Sequence, residues 1–105
     1  MLYDVRTYTC KPGTIKKHLA LYESLGFPVQ SKHLGQPLLY AVTETGNVNS
    51  FLHIWVYLDA ADRAARRAAM QADPAWHAYQ EKSGEAGYLI SQENRLMTQA
   101  PFFKP

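Results

Sequence analysis

The chain has 105 residues, 47% of them hydrophobic, and a formal net charge of +2. This length and composition predict one globular domain over residues 1–105, which buries roughly 65% of its unfolded surface. So small a charge argues against nucleic acid or an anionic membrane as a partner, because phosphate binding needs clustered Lys and Arg. Cys10 is the single cysteine, which excludes an internal disulfide and a multi-cysteine zinc site.

The N-terminal segment indicates a protein that is not exported. Asp4 and Arg6 stand where a secretory signal would carry its apolar core. No apolar run approaches the roughly 20 residues that span a bilayer. We therefore expect a soluble, cytoplasmic protein with no membrane partner.

The first half of the chain predicts strand, helix and strand. Residues 2–9 alternate with a period of two, which is typical of a strand. A helix is expected to begin at Thr14, its cap, and to end near Gly26 and Pro28. Residues 38–43 predict the second strand, and a turn-forming cluster then leads into the third strand as a hairpin.

The third strand has two faces of different chemistry. Because side chains alternate along a strand, one face carries Phe51, His53, Trp55 and Tyr57, and the other carries Leu52, Ile54, Val56 and Leu58. We expect the aliphatic face to pack against helices. The polar aromatic face is expected to line a ligand cavity or to meet a second subunit.

Aspartates mark the starts of two helices in the second half of the chain. Asp59 and Asp62 each precede an arginine by four residues. The arginines of this helix, Arg63, Arg66 and Arg67, could form an anion-binding patch, but the two aspartates favour a solvated, self-paired helix face. Asp73, followed by proline, predicts a second short helix that ends near Gly84 and Gly87. Residues 88–97 predict the last strand.

The order βαββαβ predicts an α+β, ferredoxin-like fold, in which one antiparallel sheet has helices on one face. The other face would expose Tyr8, Phe51, Trp55 and Tyr57, an apolar patch larger than monomers usually show. A homodimer that packs sheet against sheet would cover this patch. The apolar tail, with Phe102 and Phe103, is expected to dock, and crossing to the partner subunit is one way to do so.

Over nearly its whole length the chain resembles the NIPSNAP family. The matching positions include Tyr3 to Tyr8, Pro12, Gly13, His33 to Gly35, Thr43, Glu44, Gly46, Asn49, His53, Trp55, Tyr57, Arg63, Arg66 or Arg67, Asp73, Pro74, Trp76, Pro101 and Phe102. The strand His-x-Trp-x-Tyr, the arginine-bearing helix and Asp-Pro-x-Trp are the specific part. This resemblance implies the dimeric α+β barrel fold and a homodimer. It implies no particular reaction.

Five residues form the candidate ligand-binding site. Arg6 and Tyr8 lie on the first strand, and His53, Trp55 and Tyr57 lie on the third, which is adjacent in this fold. On the open face between two sheets they would form an inter-sheet cavity for a small aromatic or acidic molecule. Arg6 would bind a carboxylate, Trp55 would stack, and His53, titrating near neutral pH, is the candidate catalytic base.

Three functions remain open on the sequence alone. They are binding without turnover, a cofactor-free monooxygenase acting on a phenolic or quinol-like substrate, and a non-catalytic scaffold in which Arg6 pairs with Asp4 or Glu44. The second draws on relatives in the same superfamily and is therefore an argument from fold.

No cofactor or metal is expected. Four histidines could each be an axial haem ligand and none is marked out, namely His18, His33, His53 and His77. No two histidines stand at a short ligand spacing for a metal. The paired aromatic motif of RNA-recognition domains is absent, so we expect no nucleic acid.

Overall fold

The computed structural model describes residues 1–104. The elements are β1 (Leu2–Cys10), α1 (Ile15–Leu21), a π-helical segment (Tyr22–Gly26), α2 (Phe27–Leu34), β2 (Leu39–Val42), β3 (Ser50–Tyr57), α3 (Ala60–Gln71), α4 (Pro74–Ala86) and β4 (Leu89–Thr98). The strands form one antiparallel sheet in the order β2-β3-β1-β4, and the helices pack on one face of it. The ferredoxin-like α+β fold predicted from the sequence is confirmed.

Strand register decides which side chains share a face. On the central strand β1, Arg6 lies opposite His53 of β3 and Asn94 of β4. Residues that lie opposite each other point to the same side of a sheet. The even-numbered residues of β1 and the odd-numbered residues of β3 therefore lie together on one face.

The helices cover the polar aromatic face of β3, so the predicted orientation of this strand is wrong. Phe51, His53, Trp55 and Tyr57 are each at most 1% exposed. Trp55 and Tyr57 pack in the core with residues from the helices, namely Tyr22, Val29, Leu34, Met70, Trp76 and Tyr79. Three of these six helical residues are aromatic with a polar atom, namely Tyr22, Trp76 and Tyr79, and they match the polar aromatic face of β3.

The aliphatic face of the sheet is the open one. Leu52, Ile54 and Val56 are half-buried there, with Val5 of β1 opposite Ile54. Leu39 of β2 also lies opposite Ile54 and is exposed. The patch predicted to need a partner therefore exists, but it consists of aliphatic residues rather than Phe51, Trp55 and Tyr57.

One continuous helical run crosses the predicted helix end. Pro28 lies in the first turn of α2, where a missing N–H is tolerated, directly after the π-helical segment. Gly26 is required for packing, because a Cβ there would lie 2.6 Å from Cδ1 of Tyr22 and 3.0 Å from the ring of Tyr79. The run ends instead at Gly35, whose φ of 83° is readily adopted only by glycine.

The caps of α3 and α4 follow the sequence signals. The Asp62 backbone N–H donates to Oδ1 of Asp59 over 2.8 Å, and a first-turn N–H of α4 donates to Oδ1 of Asp73 over 2.9 Å. Helix α4 continues through Gly84 and ends at Gly87, which has a φ of 66°. Both predicted helix starts are confirmed. They could be predicted from the sequence because a cap depends only on neighbouring residues.

Only one of the two expected pairs along α3 forms. Arg66 Nε donates to Oδ1 of Asp62 over 2.9 Å. Arg63, four residues after Asp59, instead turns to the sheet, where its Nε lies 3.1 Å from Oδ2 of Asp4. The prediction of a uniformly self-paired helix surface is therefore wrong, because Arg63 pairs with a strand residue instead.

The C-terminal tail does not dock on its own protomer. Phe102 is 86% exposed and Phe103 is 54% exposed. Pro105 lies outside the described residues. Within residues 1–104, no helix combines the length and the apolar content that crossing a membrane requires.

Candidate functional site

A cavity of about 280 Å³ lies between the helices and the sheet. All four strands and every helical segment contribute to its wall. This volume lies just below the roughly 300–1,000 Å³ that is typical of ligand pockets. The cavity therefore suits a small ligand.

Three of the five predicted site residues line this cavity. They are Arg6, Tyr8 and His53, whereas Trp55 and Tyr57 lie in the core. The predicted inter-sheet location is wrong, because the register turns all five side chains toward the helices of the same chain. The candidate site thus lies within a single chain.

The hydrogen bond from Trp55 determines the tautomer of His53. Trp55 Nε1–H donates to Nδ1 of His53 over 2.7 Å. An indole nitrogen only donates, so Nδ1 is unprotonated and the neutral imidazole carries its proton on Nε2. This Nε2 is buried and has no hydrogen-bond partner within residues 1–104. His53 therefore presents an unused donor, and Trp55 acts as its positioning residue.

The surroundings of His53 keep its ring uncharged. Burial, and next the guanidinium of Arg6, lower the pKa of His53 to about 3. At neutral pH such an imidazole is a weak proton acceptor. His53 is therefore not expected to titrate near neutrality, which removes the reason for proposing it as a general base.

A second histidine lines the cavity in a similar state. His18 of α1 is buried, and its ring stacks on Phe51 with the centroids 5.3 Å apart. Burial lowers the pKa of His18, and its Nδ1 also lacks a hydrogen-bond partner among the described residues. Two neutral imidazoles with unused nitrogens therefore contribute to one cavity.

Phenol rings form much of the remaining wall. Tyr40 stacks on His53 with centroids 4.7 Å apart and on Tyr22 with centroids 5.2 Å apart. Tyr8 meets the edge of the His53 ring at 4.7 Å. Burial raises the pKa of Tyr22 and Tyr40, and it raises the pKa of Tyr79 to about 12. These three phenols are thus uncharged donors at neutral pH.

Asp4 anchors the charged groups beneath the cavity. Its carboxylate is fully buried and accepts from Arg6 Nη1 at 3.0 Å, Arg63 Nε at 3.1 Å and Asn94 Nδ2 at 3.0 Å. Burial alone would raise the pKa of Asp4, but the Asn94 hydrogen bond and the two guanidiniums hold it below its usual value. Arg6 also donates through Nε to the Tyr8 hydroxyl over 2.9 Å.

Arg67 is the cation of the cavity that has no carboxylate. Arg63 pairs with Asp4 and Arg66 pairs with Asp62, but Arg67 forms no ion pair within residues 1–104. Burial raises the pKa of Tyr57, and the nearby guanidinium of Arg67 opposes that effect. Arg6 and Arg67 are the charged residues of the wall, and no described acidic residue lines it. The cavity is therefore electropositive.

Three further residues line the cavity although the sequence does not mark them as site residues, namely His18, Tyr40 and Arg67. A signal existed for two of them. His18 falls on the inner stripe of its helix, three residues after Ile15. Arg67 has no acidic residue four positions before it, because Arg63 stands there. Tyr40 carried no such signal.

The fold and the cavity define a ferredoxin-like α+β domain with a polar aromatic pocket. Residues 3–104 match the sequence model of the NIPSNAP family. The chain belongs to the NIPSNAP family, as the resemblance of its motifs indicated.

Two relatives carry the same family name. Over 75 residues the chain is 29% identical to a NipSnap homolog from Dictyostelium discoideum, a match that covers 71% of this chain and 33% of that protein. The chain thus spans about a third of the length of this curated relative. It is 37% identical to a crystal structure of a NIPSNAP family protein with unknown function from Agrobacterium tumefaciens, with a TM-score of 0.89 and coverage of 98% of this chain and 91% of that chain.

A more distant likeness concerns the fold alone. The structure named antibiotic biosynthesis monooxygenase is 19% identical, has a TM-score of 0.65, and is matched over 96% of this chain and 100% of its own. At this identity the likeness supports the ferredoxin-like architecture and says nothing of chemistry.

Proposed function

We propose that this protein binds a small aromatic or acidic molecule in the cavity between its helices and its sheet, without turning it over. The main observation behind the proposal is that two buried ring nitrogens of the cavity wall have no hydrogen-bond partner among residues 1–104. Buried polar groups are nearly always hydrogen-bonded, so an unpartnered buried nitrogen calls for an explanation. Here His18 and His53 each present one, and a ligand would satisfy them.

Charge and ring chemistry support the same class of ligand. The guanidiniums of Arg6 and Arg67 would attract an acidic group. The stacked rings of Tyr22 and Tyr40 would favour a planar aromatic molecule. A ligand pocket typically combines apolar walls with a few placed polar groups, and this wall carries more polar groups than that, which favours a polar or charged ligand.

A cofactor-free oxygenase receives less support from the same site. Such a reaction needs a base that draws a proton from the substrate. The pKa of His53 is lowered to about 3, and that of His18 is also lowered, so neither imidazole is a strong base at neutral pH. We therefore favour binding over turnover.

Ligand binding is tested by native mass spectrometry of the purified protein, followed by denaturing release of any bound molecule. We expect a discrete small aromatic or acidic molecule to accompany the wild-type protein. Ser83→Trp, which places an indole in the cavity wall, should abolish this extra mass. The matched control is Glu81→Trp on the exposed side of α4, which should keep it. Equal ligand content in both variants would contradict the proposed site.

We also propose that two copies pack their open sheet faces together. Half-buried Leu52, Ile54 and Val56, with exposed Leu39 beside them, form a continuous apolar surface. Monomers rarely leave such a surface uncovered. A two-fold arrangement would bury it against its own copy.

Analytical ultracentrifugation at micromolar concentration tests the dimer. We expect the wild-type protein to sediment as a dimer, and Ile54→Lys to sediment as a monomer, because a charge at the centre of the apolar surface cannot be buried unpaired. Leu25→Lys, at an exposed position of the π-helical segment on the helical side of the sheet, should leave the dimer intact. A wild-type monomer would overturn this proposal.

A further inference from the structure

We infer that the ligand is a planar aromatic carboxylate with a hydroxyl group at its far end, held with its carboxylate on Arg67 and its hydroxyl oxygen on Nε2–H of His53. This inference rests on the proposed ligand binding and goes further, because it specifies the chemical class and the orientation of the ligand.

The carboxylate of the ligand is inferred from the hydrogen-bond and ion-pair partners of the two cavity arginines. Arg6 already donates from Nε to Tyr8 and from Nη1 to Asp4. Arg67 lines the same cavity, is half-buried, and has no carboxylate among residues 1–104. A guanidinium presents a planar fork of donors that matches a carboxylate. Partial burial strengthens the attraction relative to a surface site.

The hydroxyl follows from the tautomer of His53. Trp55 occupies Nδ1, so His53 can offer only the Nε2–H donor, and this donor has no partner among the described residues. The ligand atom that meets it must be an acceptor. A second carboxylate is disfavoured there, because the ring is buried and uncharged and the pocket would have to desolvate another charge. An ammonium group is excluded, because it would bring donors to a donor beside two guanidiniums.

His18 favours a hydroxyl over a carbonyl at this end. Its Nδ1 is a second buried nitrogen without a partner, and its ring stacks on Phe51, as the ring of His53 also does. No hydrogen bond among the described residues fixes which nitrogen of His18 carries the proton. A hydroxyl both accepts and donates, so it can satisfy a second imidazole in either tautomer.

The aromatic side chains of the cavity wall indicate that a planar ring joins the two ends of the ligand. The Tyr40 ring lies within 22° of parallel to the rings of Tyr22, Phe51 and His53. Near-parallel rings present flat surfaces that suit a planar ligand. The cavity of about 280 Å³ accommodates one ring or two fused rings.

Three probe molecules distinguish the contributions of the carboxylate and the hydroxyl to the affinity. They are a hydroxynaphthoate with its substituents at opposite ends, the naphthoate that lacks the hydroxyl, and the naphthol that lacks the carboxylate. Titration calorimetry at pH 7 should rank hydroxynaphthoate above naphthoate by about threefold to tenfold. Naphthol should bind at least about tenfold more weakly than hydroxynaphthoate, because it lacks the charged group that Arg67 would hold.

Variants assign each end to its residue. Arg67→Gln should weaken both carboxylates at least about tenfold and leave naphthol unchanged. Its matched control, Arg66→Gln, alters the arginine that pairs with Asp62 outside the cavity, and it should change no affinity. His53→Asn keeps an acceptor for Trp55 but cannot reach the hydroxyl, so it should remove the advantage of hydroxynaphthoate over naphthoate.

The outcomes distinguish this inference from the proposed function. Naphthol that binds as tightly as the acids, with Arg67→Gln unchanged, would overturn the assignment of the carboxylate and leave ligand binding intact. An advantage of the hydroxyl that survives His53→Asn would overturn the assignment of the hydroxyl. Failure of all three probes, together with a wild-type protein that carries no ligand in native mass spectrometry, would overturn the proposed function itself.

Discussion

Asp4→Asn is expected to lower the free energy of unfolding by about 3–5 kcal/mol, the cost of removing one partner from a buried ion pair. The Asp4 carboxylate is fully buried and accepts from Arg6, Arg63 and Asn94 at 3.0–3.1 Å. Asparagine keeps the shape but removes the charge, which leaves two largely buried guanidiniums without compensation. It also brings an NH₂ donor to groups that only donate.

The measurement is urea unfolding at one fixed protomer concentration, since dimerisation would make stability depend on concentration. We expect a lower midpoint with an unchanged m-value. Glu85→Gln makes the same chemical change in the exposed pair with Lys82 on α4, and it should have no measurable effect. A loss from Asp4→Asn no larger than that from Glu85→Gln would show that this network does not stabilise the fold.

Local sequence signals correctly predicted the helix starts and the helix end that depend only on neighbouring residues. Asp59 and Asp73 cap their helices, and Gly87 ends α4, because each of these roles involves only the adjacent turn. The order of helices and strands was then sufficient to predict the ferredoxin-like fold. Gly26 shows the limit of such signals. It resembles a helix terminator, but it is required where the rings of Tyr22 and Tyr79 crowd the backbone, and the contact with Tyr79 is not local.

The face of β3 could not be decided from the strand alone. Alternation separates Phe51, His53, Trp55 and Tyr57 from the aliphatic residues, but it does not say which set the helices cover. The answer depends on what the helices present, and Tyr22, Trp76 and Tyr79 make that layer aromatic and partly polar. Three of the five candidate residues still line the cavity, because strand pairing places Arg6 and Tyr8 beside His53 in either orientation.

A second consequence of burying His53 is a fold that weakens in acid. Its pKa is lowered from 6.5 to about 3 in the native protein. Between these pH values, His53 is protonated in the unfolded chain and unprotonated in the native protein. The contribution of His53 to the free energy of unfolding is therefore fully present above pH 6.5 and is lost as the pH falls toward 3. From pH 7 to pH 5, His53 alone should lower the free energy of unfolding by about 2 kcal/mol.

Several charged and titratable groups act on His53 in the native state, and the comparison must hold them constant. They are Arg6 and Asp4 on β1 and His18 on α1. Urea unfolding of the wild-type protein and of His53→Asn at both pH values isolates the contribution of His53. We expect the wild-type protein to lose about 2 kcal/mol more than the variant between pH 7 and pH 5.

His77→Asn is the matched control for the acid dependence, because it removes an exposed histidine from α4. This variant should keep the wild-type dependence on pH. If His53→Asn also keeps it, then His53 accepts a proton in the folded protein as readily as in the unfolded chain. Its ring would then be charged below pH 6.5, and Nδ1 could no longer accept from Trp55. Nε2–H is a donor in both charge states, so the assignment of the ligand hydroxyl at pH 7 would still rest on the hydrogen bond from Trp55.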